Sequence, residues 1–253
     1  MRKVLGIVPT LAVGVALLTA AAPASAAPLS GGTWGNAQEL PGIAALDKGG
    51  HALVQTLSCA SAGNCVTGGY YTDGSDHSQA FVAVEKGGTW GDAQEVPGTA
   101  ALNTGGDASV ASVSCASAGN CAVGGDYTTA SSQVQPYVAN ETSGAWGTAE
   151  QVPGSATLNK GGNAGTEAVS CASAGDCSAV GLYTDGSGNY QAFAVSEAGG
   201  TWGNAEEVPG VSTLDAGGAS GGEAVSCSSL GHCAAAGDYT ASGVTDPYVV
   251  SET

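Results

Sequence analysis

The chain has 253 residues, of which 43% are hydrophobic, only 11% are charged and 42 are glycine. Five basic residues stand against 22 acidic ones, a formal net charge of −17. A surface of that sign repels phosphate backbones and anionic lipid, so nucleic acid and membrane surfaces are excluded as expected partners.

Residues 1–26 read as a secretory signal peptide: Arg2 and Lys3, then an apolar run over 4–20, then the small-residue site Ala24-Ser25-Ala26. The apolar run is short and lacks basic stop-transfer residues, and no cysteine follows the cleavage site, so neither a membrane span nor a lipid anchor is expected. The product is expected to be secreted and extracellular. Residues 27–253 read as a single domain that keeps Lys48, Lys86 and Lys160 and no arginine; three lysines against 22 acids leaves −19.

That domain is a repeat array. Trp34, Trp90, Trp146 and Trp202 are 56 residues apart, and so are Tyr71, Tyr127, Tyr183 and Tyr239. The units are 31–86, 87–142, 143–198 and 199–253, the last one residue short. Glycine-rich, weakly charged chains are often disordered, but disorder has no use for tryptophan at a fixed interval.

Within a unit the first strand-like stretch is 33–40, closed by Pro41-Gly42, a turn signal. A loop over 43–50 leads to strands at 53–59 and 65–72, separated by a tight Gly-Asn turn. A polar loop over 73–78 precedes a strand at 79–85 carrying Phe81, whose counterparts are Tyr137, Phe193 and Tyr248. No window has useful helical periodicity. The fold class is therefore all-β, and four strands in each of four repeats fit a four-bladed β-propeller. Pairing of 33–40 with 249–252 would close the ring within one chain and give a monomer. The competing architecture is an open row of disulfide-stapled β modules. Units one and three share Tyr-Thr-Asp-Gly-Ser while two and four share Gly-Asp-Tyr-Thr, which suggests a duplicated pair.

Each C-x5-C brackets a turn and sets its two sulfurs across a hairpin. In an oxidising compartment the expected bridges are Cys59–Cys65, Cys115–Cys121, Cys171–Cys177 and Cys227–Cys233. Zinc sites and redox motifs use shorter spacings. The stretches Val113-Ser114-Cys115 with Cys121-Ala122-Val123-Gly124, and Cys177 with Ala179-Val180-Gly181, resemble the repeats of secreted bacterial β-propeller proteins with a Ser-Cys-x5-Cys hairpin in each unit. The resemblance spans the mature chain and implies the propeller fold. It implies no particular activity.

In such a fold the loops entering the inner strand share a face with those joining the second and third strands, and loops on a rigid scaffold are where binding usually lives. The candidate ligand-binding residues on that face are Asp47, His51, Asp73 and His77 in unit one and Asn103 and Asp107 in unit two. Unit three offers Asn159, Asn163, Asp185, Asn189 and Tyr190, and unit four Asp215 and Asp246. The register Asp47, Asn103, Asn159 and Asp215 suits sugar hydroxyls or a cation, but also suits an Asx turn into the paired glycines. Asp185-Gly186-Ser187-Gly188-Asn189 has a faint likeness to a calcium loop and lacks the further carboxylates, so no metal site is assigned and calcium is the one cation considered. Gln55, Glu167 and Glu223 share an inner-strand register that would line a central channel, and the tryptophans are read as packing.

The three histidines fall in three registers, and no catalytic motif is present, so no enzyme is expected. The expected function is a binding module for an extracellular glycan, a cell-envelope polymer or a protein ligand. A glycoside-acting enzyme and a structural or adhesive protein are the alternatives.

Overall fold

The computed structural model describes residues 32–253; the signal-peptide reading lies outside the described residues. The structure is all-β, built as four antiparallel sheets in series. The first unit holds α1 (Ile43–Leu46), β1 (Ala52–Ser61), β2 (Asn64–Thr72) and β3 (Ser78–Lys86). The second holds β4 (Thr89–Trp90), β5 (Gln94–Glu95), α2 (Thr99–Leu102), β6 (Ala108–Ser117), β7 (Asn120–Thr128) and β8 (Val134–Thr142). The third holds β9 (Ala145–Trp146), β10 (Glu150–Gln151), α3 (Ser155–Leu158), β11 (Ala164–Ser173), β12 (Asp176–Thr184) and β13 (Tyr190–Ala198). The fourth holds β14 (Thr201–Trp202), β15 (Glu206–Glu207), α4 (Val211–Asp215), β16 (Ala219–Ser229), β17 (His232–Ala241) and β18 (Val244–Ser251).

Each three-stranded meander is completed by the repeat that follows it. The tryptophan stretch of unit two forms β4 and β5, and both pair with β3 of unit one, Glu85 opposite Trp90 and Phe81 opposite Glu95. Units two and three are completed in the same way by β9 with β10 and by β14 with β15. The expected eight-residue strand is thus two short bridges with a kink between them. The sheet of the fourth unit has three strands, β16-β17-β18, and residues 32–40, expected to supply a strand, form none. Trp34 is 98% exposed, whereas Trp202 is 5% exposed.

The loop after each Pro-Gly contains a one-turn helix that the sequence did not suggest. Four or five residues are too few to display a 3.6 period. Each helix instead follows a glycine in the left-handed region (Gly42, Gly98, Gly154 and Gly210), a conformation open to glycine at little cost.

The core lies between sheets as much as within them. Inner strands β1, β6, β11 and β16 follow one another side by side, and β6, β11 and β16 each lay an apolar face on the meander of the preceding unit. Val110 and Val113 of β6 are buried with Val66, Ala80 and Val82 of the first sheet. Thr166 and Val169 of β11 stand against Gly124 of β7. Side-chain hydrogen bonds join the same strands: Cys115 N–H donates to Ser58 Oγ at 3.1 Å, Cys171 to Ser114 at 3.0 Å and Cys227 to Ser170 at 3.0 Å.

All four expected disulfides are present, each between directly opposed residues of a hairpin with Cα atoms 3.9–4.0 Å apart. Among the described residues no helix is long and apolar enough to cross a membrane. A seven-residue loop constrains the unfolded chain modestly, by about 2 kcal/mol per bridge in the chain-entropy model. Cys115→Ser with Cys121→Ser will therefore lower thermal stability by about that amount and leave the fold intact. A melting temperature indifferent to both this change and reductant would contradict the account.

Candidate functional site

The polar loops use most of their candidate side chains to fold themselves. Asp47 accepts the His51 amide at 2.9 Å, and the His51 ring lies tilted against Tyr70. Asp73 accepts the amides of Ser75 and His77 and the side chain of Gln79, and these bonds hold its carboxyl below the ordinary range against the opposing effect of desolvation. Asp185 accepts the amides of Ser187 and Asn189, while Asn189 donates to Gly217 O and Asn163 to the Tyr190 hydroxyl.

Asn103, Asn159 and Asp215 are buried. Asn103 accepts the Gly106 and Asp107 amides and donates to Ser78 O and Gln79 Oε1, tying unit two to unit one. Asn159 donates to Val134 O and Gln135 Oε1, and Asp215 accepts from Gly217 N–H and the Ser220 hydroxyl. Asp246 is exposed opposite Tyr239 on β17. The structure thus pairs Asp73 with His77, Asp185 with Asn189 and Asn163 with Tyr190. Among the described residues no three His, Cys, Asp or Glu side chains converge as a cation site.

The inner-strand register is a β-bulge: Gln55, Ala111, Glu167 and Glu223 are each the unpaired residue between two ladder partners. Burial pushes the Glu167 carboxyl up, and neighbouring Glu223 adds to it. Burial also pushes Asp126 up to about 6, with Asp107 and Glu167 contributing, although Ser109 donates to it at 3.2 Å.

A different site emerges where consecutive sheets meet at their outer strands. Glu85, Glu141, Glu197 and Glu252 occupy one repeat register at the end of the third strand, and the first three stand opposite Trp90, Trp146 and Trp202. Between units two and three the gap is closed by Asn140, which donates to Glu197 and accepts the Trp202 indole N–H at 3.3 Å. Between units three and four Ser196 donates to Glu252 at 2.9 Å. The corresponding residue of unit one is Val84, which can do neither.

Three consequences follow at the junction of units one and two. Glu141 is 3% exposed, yet neither carboxylate oxygen has a hydrogen-bond partner. The Trp146 indole N–H is buried and likewise unpartnered. A cleft of about 460 Å³ remains open, lined by Val84, Lys86, Trp90, Gln94, Glu141 and Trp146 among others. Burial raises the Glu141 carboxyl, and Lys86 opposes that without bonding to it. None of the polar-loop candidates lines this cleft. The register reads Val84, Asn140, Ser196 and Ser251 in the sequence, so unit one alone carries an apolar residue there.

Lys86 and the rings of Trp90 and Trp146 line the cleft and can offer an ammonium and apolar faces to a ring compound, whereas the Glu141 carboxylate and the Trp146 indole N–H are buried in its wall and would reach a ligand only if that wall shifted. Compared with known proteins, the chain matches no protein-family model and no curated protein.

Proposed function

We propose that the protein is a secreted, non-catalytic binding module of propeller-type blades that recognises an extracellular glycan in the cleft between its first two units. The observation that carries this reading is Glu141, a buried carboxylate with both oxygens unpartnered beside an unpartnered indole N–H. Leaving such groups unpaired costs about 1–3 kcal/mol each, a cost that a ligand drawing the two groups into the cleft would offset. The disulfides fit the oxidising compartment that secretion implies. With three lysines against 22 acids, the mature chain favours neutral or amino-bearing glycans over polyanionic envelope polymers.

Binding of the mature protein to a panel of neutral, amino and anionic polysaccharides tests this. Glu141→Gln and Trp146→Ala are each expected to weaken binding by roughly tenfold or more, about 1.4 kcal/mol. Glu141→Gln should at the same time raise the melting temperature, because it removes an uncompensated buried charge. Asp185→Ala and Asn189→Ala should leave binding unchanged. Loss of binding in those two variants alone would move the site to the polar-loop face. Binding to no polysaccharide would contradict the glycan reading.

A glycoside-acting enzyme is the second reading, and Asp126 is what favours it. Asp126, pushed up to about 6, lies near Glu167, whose carboxyl is also raised by burial, and a pair of carboxyl groups is what glycoside hydrolysis uses. Hydrolysis of any glycan in the panel, abolished by Asp126→Asn, would support that reading over the first.

A further inference from the structure

Every internal junction of the array is heterologous: the inner strand of one unit seats on the meander of the unit before it. One copy of each half-interface is left over. On the first unit, Val54 and Leu57 are 58% and 59% exposed, while their counterparts Val110, Thr166, Val113 and Val169 are 0%, 1%, 6% and 7% exposed. On the fourth unit, Val249 is 85% exposed, while Val82 and Val138 in the same register are both 0%.

The two unused halves match in detail. The central contact of each junction pairs a large residue with a small one: Val110 stands on Gly68, Thr166 on Gly124, and Gly222 under Val180. The unmatched pair is Val54 with Ala236, again large with small. The hydrogen-bond series runs from Ser58, Ser114 and Ser170 to the cysteine amide of the next unit. Ser226 is the next acceptor in that register, and the Cys59 amide is the next donor. Finally, the fourth sheet lacks the bridge that the next tryptophan stretch supplies to the others.

We infer that the occupant of each end is a second copy of this chain, docked head to tail. The first-unit face of one molecule covers the fourth-unit face of its neighbour. Both halves are bare within one molecule while each is complementary to the other, and a second copy supplies what each end lacks. A self-complementary face-to-face dimer would pair like with like, which the large-on-small pattern does not favour. Because each copy is strongly acidic, association should strengthen as salt screens the repulsion.

Sedimentation of the mature chain over a range of concentration and ionic strength tests the inference. The expected result is reversible self-association that increases with salt. Leu57→Asp blocks one end and Val249→Asp the other. Both side chains are solvent-exposed in the single molecule, so each variant should fold and melt as the dilute parent does. Each variant alone should be monomeric, with association weakened at least a hundredfold. An equimolar mixture should form a 1:1 heterodimer through the one unblocked end of each. A wild-type chain monomeric under all conditions, or a mixture that stays monomeric, would overturn the proposal. So would a single variant that still dimerises.

Discussion

Gly125→Ala is expected to destabilise the protein by about 3 kcal/mol or more, or to prevent folding. Gly125 has ordinary backbone angles, so the objection to alanine is not conformational. A Cβ there would lie 2.0 Å from Ser109 O on the neighbouring strand and 3.0 Å from Cε1 of the buried Tyr137. The contact recurs in all four units, with Gly69, Gly181 and Gly237 against Leu53, Gly165 and Gly221. It marks the place where the bulged inner strand crosses closest to its partner. The aromatic ring of the third strand packs over the same glycine and covers the surface it leaves bare. Relief would require two hydrogen-bonded strands to separate in a close-packed region. For a domain of this size the loss corresponds to roughly 10 °C in melting temperature. Gly186→Ala, in an exposed loop with room for a methyl group, should change it by less than about 1 °C. Equal melting of both variants would show that the close crossing is not a constraint.

Acidification is expected to stabilise the fold, the reverse of the usual behaviour. Burial raises the carboxyls of Asp126, Glu141, Glu167 and Glu197, Asp126 to about 6 from an ordinary 3.8. Between those two values the folded chain holds a proton that the unfolded chain has lost, so stability rises as pH falls from 6 toward 4. For Asp126 alone the gain is on the order of 1–3 kcal/mol, the upper figure being the full value of the shift and the lower allowing for partial solvent screening. Asp73 and Asp176 act in the opposite direction, since their hydrogen bonds are lost as they protonate, but both are at the surface. Lower net charge also reduces self-repulsion, so the diagnostic comparison is with Asp126→Asn. That variant should melt higher than the parent near neutral pH and respond less to acid. A parent melting temperature that falls steadily from neutral pH toward 4 would contradict the assignment.

The parts of the structure written four times were readable from sequence. The hairpins, the disulfides and the third strands are set by spacing and turn chemistry, and their positions agree within one or two residues. What could not be read were features that depend on neighbours. The tryptophan stretch looked like one strand, yet it is two bridges, because its place is set by the preceding sheet rather than by its own alternation. The register of Asn103 and Asn159 suggests an Asx turn into the paired glycines, and Asn103 does accept the Gly106 and Asp107 amides; their burial was not legible, because it is Ser78 O and Val134 O of the preceding unit that meet them there. The unpartnered Glu141 could not be read either, because the bonds that Asn140 and Ser196 make to their glutamates, and that Val84 cannot make, are visible only in the structure.

The most direct test of an array whose sheets are each completed by the next repeat, and whose ends are therefore unfinished, is hydrogen exchange at low protein concentration. The account predicts that the segment 244–253, with its uncovered β18 edge, exchanges much faster than its counterpart 190–198, whose strand is bridged by β14 and β15. Equal protection of the two segments in the dilute monomer would contradict it, and would mean that the chain closes its own ring.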